Sequence, residues 1–357
     1  MNSDIFSCSR SRRDFFKKAL ILGSVGLLKP SGLLAFDPPE ENGLESPQIF
    51  HKFKTMSVAH FKDLQEDIDK LRQHHKLSRN KIYRSYIDRL KFEIPETFPK
   101  AHSIIVMAVF TRAMFVKFHL TGKTYDTMLS PQYYDDGISL EDLKKVIQKE
   151  IVREPAVKIE QAKGLHLKLL AVRSGLGRYG RNNLCFIDGM GTFITLYAFY
   201  TDYQFKEDSW HDMDMLDACR DCQICFGICP TNAITRENFV IDAGKCITLY
   251  NEIDGKFPNW ILPSMHNALM GCMKCQLRCP VNEGYIDSSG RFDDVTEEET
   301  RKILQGKADD DLFKSLSQKL KSFPPASSRE YFPIFTRNLR VIISRGRIAD
   351  AGQRARL

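Results

Sequence analysis

The sequence predicts an α+β fold in three parts, namely an α/β sandwich, a cysteine-rich module and a helical C-terminal extension. Helix-like and strand-like patterns alternate across residues 57–209. Eight cysteines lie within residues 210–290, and charged amphipathic patterns fill much of residues 291–357. Alternating elements favour a sheet covered by helices, while a dense cysteine set indicates metal sites or disulfides.

The N-terminus carries a candidate export signal at residues 1–36. Arg12 and Arg13 precede a short apolar stretch, Ala19 to Leu28, and this order is typical of twin-arginine signals. The stretch is shorter than the ~20 residues that span a membrane. A chance basic amphipathic start is the alternative. Residues 37–56, rich in Pro, Glu and Gly, are predicted to be a linker.

The signal predicts the partners and the location of the protein. It implies the twin-arginine translocation machinery as one partner, and a periplasmic or membrane-associated, outward-facing protein. If the signal is not used, the protein is expected to be cytoplasmic.

Composition is that of an ordinary globular protein. Apolar residues make up 43% and charged residues 27% of the chain, which excludes disordered and membrane-embedded classes. The net charge of +7 comes partly from the signal and from arginines near the C-terminus. A solvated basic tail explains this charge, so nucleic acid is not expected as a partner.

Periodicity predicts the elements of the sandwich. Apolar residues at helical spacing predict amphipathic helices across Ser57–Leu90 and Leu140–Ile151, and a β-branched run predicts a buried strand at Ser103–Thr111. A helix is predicted at Leu165–Ser174. Leu184–Asp188 and Thr192–Thr201 are predicted to pair around the turn Gly189-Met190-Gly191.

The extension is predicted to consist of helices. Thr296–Leu320 has a charged amphipathic pattern, which Pro324 and Pro325 break, and a last helix is predicted at Arg337–Ser344.

A glycine-rich turn, Gly175 to Asn183, follows the predicted helix at Leu165–Ser174. Backbone N–H groups in such turns can hold anions or lie against a flat cofactor. The G-x-G-x-x-G spacing matches a dinucleotide fingerprint, but the turn follows a helix and precedes a strand, the reverse of the required order. A plain structural turn is the alternative. The candidate cofactor-binding residues are Gly175, Gly177, Arg178, Gly180, Arg181 and Asn182.

The cysteine spacing is the most specific signal in the chain. The runs C-x2-C-x2-C-x3-C-P and C-x2-C-x3-C-P flank one further cysteine. In the bacterial ferredoxin pattern, the cysteine before the proline ligates the other cluster. The spacing therefore predicts two [4Fe–4S] clusters. One is held by Cys219, Cys222, Cys225 and Cys279, and the other by Cys229, Cys246, Cys272 and Cys275.

Two alternatives to the clusters stay open. Paired C-x2-C motifs also occur in zinc sites, and an even cysteine count can indicate disulfides. Cys8 and Cys185 fall outside the set and are predicted to be ordinary thiols.

Several strings resemble a known family. Leu170–Asn182 (LAVRSGLGRYGRN), CRDCQICFGICPTNAI, KCITLYNE and GCMKCQLRCPVN resemble epoxyqueuosine reductases and the iron–sulfur half of reductive dehalogenases. The similarity runs from about Pro95 to Pro280. It implies a nitroreductase-like, cobalamin-binding sandwich, in which two clusters feed electrons to a corrinoid that reduces an electrophilic substrate. The glycine turn would then lie near the corrin face.

Candidate acid–base residues lie on both sides of the turn, and most of them precede it. They are Tyr133, Tyr134, Asp135 and Glu160, with His166 and His266 as weaker candidates. Glu160 lies close to the position at which the resembled reductases carry an acidic proton donor. A tyrosine beside a reduced cofactor is chemically suited to donate a proton.

These observations predict an exported iron–sulfur oxidoreductase that reduces an unidentified substrate. It would receive electrons from a donor protein or a membrane redox partner. Two alternatives remain, namely a non-catalytic electron-transfer protein and a tRNA-modifying epoxyqueuosine reductase homologue.

Overall fold

The computed structural model describes residues 49–74, 76–134, 136–321, 323 and 328–354, with side chains as far as residue 345. The predicted export signal, Cys8 and Asp135 lie outside the described residues. All described elements belong to one unit, Glu45–Leu357. None of the described helices is both long and apolar enough to cross a membrane.

Antiparallel pairing builds the main sheet. The strands in chain order are β1 (His51–Ser57), β2 (Ser103–Phe110), β3 (Met114–Leu120), β4 (Lys123–Leu129), β5 (Ile159–Gln161), β6 (Arg178–Tyr179), β7 (Cys185–Phe186), β8 (Ile194–Thr201) and β9 (Gly290–Arg291). The main sheet has the order β1-β2-β8-β5, with Ser103 opposite Thr201 and Phe110 opposite Ile194. The predicted strand at Ser103–Thr111 is confirmed as β2, in the middle of this sheet.

Short helices connect and cover the strands. In chain order they are α1 (Phe61–Gln73), α2 (Lys81–Ile87), α3 (Leu140–Val146), α4 (Leu167–Arg173), α5 (Ile224–Ile228), α6 (Ile247–Glu252), α7 (Lys274–Leu277), α8 (Glu283–Ile286), α9 (Glu297–Gln305), α10 (Asp310–Lys319) and α11 (Phe332–Arg354). α3 continues as a π-helical turn, Ile147–Val152. The helices predicted in the sandwich and in the extension are therefore confirmed, and α11 is longer than predicted.

Alternation along β2 places apolar side chains on both faces of the sheet. Ile104, Val106 and Ala108 face a core that also contains α1 and α4. Ile105, Met107 and Val109 face a second core that contains α3. Because successive strand residues point to opposite faces, a continuously apolar strand requires cover on both sides. The sheet is therefore sandwiched between helices, as the sequence predicts.

Two local predictions are wrong. Residues 51–56 are not a linker but most of β1, which pairs with β2 from His51 opposite Val109 onwards. Leu184–Asp188 and Thr192–Thr201 do not form a hairpin, because β8 is already paired with β2 and β5. β7 pairs instead with β6, and an isolated bridge between Ile187 and Gly191 is what remains of the predicted pairing.

A second sheet forms a separate core with the C-terminal helices. Its order is β4-β3-β9, and its buried residues Val116 and Phe118 share a core with Leu316, Phe335 and further residues of α9 to α11. α9 begins at a capping box in which Thr296 and Glu299 bond each other's backbone N–H. The extension is thus part of the fold's interior.

The cysteine-rich module also shares a core with the sandwich. Trp210, Met213 and Phe239 pack against the core between the main sheet and α1. The domain boundaries at 209/210 and 290/291, on either side of the cysteine-rich module, stay a prediction.

Candidate metal centre

Each cysteine run folds as one short helix followed by an extended Cys-Pro step. α5 contains Cys225 and ends at Cys229, with φ −66° and ψ 114°. α7 contains Cys275, and Cys279 has φ −77° and ψ 121°. Proline disfavours helical backbone at the residue before it, so each Cys-Pro pair turns the chain away from its helix. α5 and α7 contact each other, which brings the two runs together.

Electrostatic interactions divide the thiols into two groups. Burial, followed by nearby Cys219, Cys222 and Cys279, raises the pKa of Cys225 to about 11. Cys279 interacts with Cys219 and Cys222 in turn. We call these four thiols the first cysteine group.

The remaining four thiols form the second cysteine group. Burial raises the pKa of Cys272 to about 12, with contributions from Cys246 and Cys229. Cys275 interacts with these three and also with Cys225 of the first group, so the two groups are neighbours. The members of the second group are Cys229, Cys246, Cys272 and Cys275.

One cavity of about 210 Å³ is lined by all four thiols of the second group and by none of the first. This set of thiols is a suitable donor set for an iron–sulfur cluster, which takes four cysteine thiolates. Binding would release protons from Cys246, Cys272 and Cys275, whose pKa values are raised in the free protein. The two ligand sets stay a prediction, and this arrangement supports them.

Among the described residues, the structure shows neither of the two alternatives, which were disulfides and zinc sites. All nine described cysteines are free of disulfides. No three of the described His, Cys, Asp or Glu side chains are placed to hold a single metal ion. A cubane binds each thiolate to a different iron, so its sulfurs need not converge on one point.

Hydrogen bonds position the sulfur atoms of the second group. The N–H of Ala233 donates to Cys229 Sγ at 3.3 Å. Cys246 accepts hydrogen bonds from the side chain and backbone of Thr248. Such bonds are among the determinants of a cluster's reduction potential.

Tyr133, at the same cavity, forms a half-buried pair with Glu252. Tyr133 lines the cavity, and its hydroxyl donates to Glu252 Oε1. Burial, and then Glu252, raise the pKa of Tyr133 well above its ordinary range. Burial also raises the pKa of Glu252, while the bond from Tyr133 lowers it. Glu252 was missed in the sequence, because its position at the end of α6 gives no signal of its partner.

The other candidate acid–base residues do not join this pair. The Tyr134 hydroxyl donates to the Arg112 carbonyl oxygen at 2.7 Å, and its ring packs edge-on against Phe292. Glu160 lies on the edge strand β5 and pairs with Lys158 at 2.7 Å. Tyr134 and Glu160 therefore do not fit the catalytic role that the sequence suggested for them.

The two weaker histidine candidates have structural surroundings. His166 caps α4, where Nδ1 accepts from the Leu169 N–H at 3.1 Å. His266 is buried against the Phe257 ring. Burial lowers the pKa of each to about 4, so both are neutral at ordinary pH.

The backbone of the glycine-rich turn bonds within the protein, which disagrees with the prediction that its N–H groups hold a cofactor. The N–H groups of Gly175, Gly177 and Gly180 donate to carbonyl oxygens of Val172, Ala171 and Leu184. They are not available to hold an anion. A Cβ at Gly180 would lie 2.2 Å from the Phe186 ring, so close packing against β7 explains the glycine there.

Three side chains of the turn nonetheless contact the metal centre or its loops. Arg181 is 2% exposed and donates to the carbonyl oxygens of Cys222 at 2.9 Å and of Cys219 at 2.5 Å. Asn182 and Asn183 line the cavity of the second group. Arg178 instead forms an exposed ion pair with Asp217 at 2.9 Å.

Comparison with known proteins agrees with this geometry. Residues 218–282, which contain all eight cysteines of the two groups, match the 4Fe-4S double cluster binding domain. Curated epoxyqueuosine reductases from Staphylococcus aureus and Escherichia coli are each 34% identical to the chain, over 117 and 131 residues. The resemblance to epoxyqueuosine reductases is confirmed.

The curated matches cover only part of each protein. They include 33% and 36% of this chain, and 30% and 31% of the two relatives. The chain thus spans about a third of the length of the curated epoxyqueuosine reductases it matches.

Solved epoxyqueuosine reductases share the fold more widely. The structure from Streptococcus thermophilus covers 82% of this chain and 77% of its own, with TM-score 0.57 and 18% identity. A second structure holds an epoxyqueuosine-modified tRNA-Tyr stem loop, with TM-score 0.57 and 17% identity. The mixed α+β fold is therefore shared, and the likeness to reductive dehalogenases stays a prediction.

Proposed function

We propose that this protein is an iron–sulfur reductase of the epoxyqueuosine reductase type, with two [4Fe–4S] clusters. One observation carries the proposal: four thiols line one cavity together with Tyr133, whose hydroxyl donates to Glu252. The clusters would supply single electrons. Tyr133 would donate a proton to the reduced product, and Glu252 would hold the tyrosine hydroxyl in place.

The proposed substrate is epoxyqueuosine in tRNA. The support is the set of curated relatives and the solved complex with a modified stem loop. A second candidate is an exported reductase of another electrophile, which Arg12 and Arg13 favour. An electron-transfer protein without catalysis is the third candidate, and the substantial sandwich before the cysteines argues against it.

A corrinoid cofactor is supported by the resemblance alone. Of the turn residues proposed to lie near a corrin face, Asn182 lines the cavity, while the three glycines, Arg178 and Arg181 are occupied by contacts within the protein. These residues do not fit that role, so no catalytic step is assigned to a corrinoid. The nitroreductase-like description of the sandwich likewise stays part of the proposal.

The test uses full-length protein purified without oxygen. Iron and sulfide are counted, cob(II)alamin is added and followed by EPR, and an epoxyqueuosine-containing tRNA stem loop is then offered with a chemical reductant. Two clusters and conversion to queuosine would support the proposal. Two clusters without conversion would favour another substrate or an electron carrier, and chains that hold zinc would refute the proposal.

Export requires a separate test. A variant with Arg12→Lys and Arg13→Lys should remain in the cytoplasm if the twin-arginine route is used, because that route reads the arginine pair. Cell fractionation of the wild type and the variant provides the measurement. Wild-type protein found in the cytoplasm would instead share a compartment with tRNA.

A further inference from the structure

Lys168 is a half-buried cation on the wall of the second group's cavity. It lies on α4 and lines the cavity together with the four thiols. Its Nζ donates to the carbonyl oxygen of Asn183 at 2.9 Å and to Asn183 Oδ1 at 2.7 Å. Both partners are neutral acceptors, and an ammonium has a third N–H to offer.

No carboxylate neutralises this ammonium. Among the described residues, no acidic side chain forms an ion pair with Lys168, and none lines the cavity. Burial lowers its pKa, whereas the nearby thiols of Cys185 and Cys246 raise it. A buried charge is costly unless it is paired, and a cluster held by four thiolates would bring negative charge into this cavity.

Cys185 does not provide that negative charge itself. It is buried, and burial raises the pKa of its thiol to about 12, so it is neutral at ordinary pH. Lys274 also lines the cavity, but its Nζ reaches the Ser264 carbonyl oxygen in an exposed contact at 3.4 Å. Lys168 is therefore the lysine of this cavity wall whose hydrogen bonds are shielded from solvent in part.

We propose that Lys168 is the counter-charge of the second cluster and raises that cluster's reduction potential. The inference rests on the proposed function, which places a cluster in this cavity. Reduction adds one electron to the cluster, and a fixed cation nearby stabilises the added negative charge. Lys168 would act through the effect of its charge on the cluster, and no catalytic step is assigned to it.

The test is a redox titration of both clusters by EPR in full-length protein. Lys168→Met should lower one midpoint potential by about 59 mV, which is a tenfold change in a one-electron equilibrium, and leave the other unchanged. Lys168→Arg keeps the charge and should restore most of the potential. Lys163→Met removes an exposed lysine just before α4 and should change neither potential.

A second variant tests the same proposal if the Lys168→Met protein does not bind the second cluster. Asn183→Asp keeps the size of the side chain and the lysine but places a carboxylate against the ammonium, so it should lower the same potential. Loss of the second cluster in both variants, with Lys168→Arg fully loaded, also supports the counter-charge.

An unshifted potential in a fully loaded Lys168→Met or Asn183→Asp protein would overturn the role of Lys168 alone. Wild-type protein without two clusters would overturn the proposed function and this inference together.

Discussion

Tyr133 is the candidate acid–base residue whose surroundings fit a proton donor. Tyr133 lines the cavity of the second group, and its hydroxyl donates to the half-buried carboxylate of Glu252. Tyr133→Phe removes the proton and leaves both clusters in place, so we expect turnover to fall by about 10²-fold or more, the range of general acid catalysis. Single-turnover rates with the modified stem loop, measured beside iron content, check this expectation.

Tyr134→Phe is the matched control for that experiment. It also removes one hydroxyl from the same loop, but that hydroxyl bonds the Arg112 carbonyl oxygen beside the second sheet's core. We expect turnover close to wild type. Equal losses in the two variants would show that the loop, and not the Tyr133 proton, matters.

At the scale of single residues, the sequence predicts what spacing encodes and misses what folding brings together. The cysteine pattern predicts a double cluster module, which the match at residues 218–282 confirms. Lys168 and Glu252 had no signal, because each meets the cavity only through tertiary contacts. Arg181 was chosen for a cofactor, yet its guanidinium holds the loop of the first cysteine run.

Among the elements, one ion pair joins α1 to α4. Arg173 donates to both carboxylate oxygens of Asp67, at 2.7 and 2.6 Å, and Asp67 is 2% exposed. Removing one partner of a buried pair costs about 3–5 kcal/mol because a buried charge is left unpaired. Asp67→Ala leaves Arg173 only the exposed carboxylate of Asp212 at 3.5 Å, so we expect the free energy of unfolding in denaturant titrations to fall by about 3 kcal/mol, the lower end of that range.

An exposed pair on the same helix is the control. Arg72 bonds Asp88 at 2.8 Å, with 33% and 63% of the two side chains exposed. Asp88→Ala should cost at most about 1 kcal/mol, as surface pairs do. A similar loss of unfolding free energy in both variants would show that the buried pair stabilises the fold no more than the exposed pair does.

Sequence periodicity predicted some of the helices and strands correctly and was not applied to others. The apolar run at β2 and the helical patterns of α1 and α9 were interpreted correctly. The β3–β4 hairpin was missed, although Val116, Phe118 and Leu120 alternate with polar residues. Its turn, Thr121-Gly122, has φ 52° and 69°, as tight hairpin turns require. The β7–β8 hairpin was predicted because a glycine turn does not reveal which strand already has partners.

Across the whole molecule, the C-terminal extension completes the second core. Phe335 on α11 is 1% exposed and contacts the rings of Phe118, Phe323 and Phe332. Phe335→Ala should cost about 3–5 kcal/mol, the usual result of emptying a buried aromatic site. Tyr331→Ala, at a residue that is 42% exposed, should cost much less. Thermal unfolding followed by circular dichroism compares the two, and equal midpoints would mean that the extension is only an outer cap.

The two cysteine groups are neighbours, and in the proposed function they hold the two clusters that carry electrons. Cys225 and Cys275 interact across the groups, so two reduced clusters should broaden each other's EPR signals. Cys246→Ala removes one thiolate of the second group. We expect Mössbauer spectra to show that one cubane is lost or converted while the other persists, with an EPR signal free of that broadening. Cys185→Ala removes a buried thiol outside both groups and should retain both clusters. A Cys246→Ala protein with two intact cubanes would disprove the ligand assignment, because the second group would then have one thiolate too few.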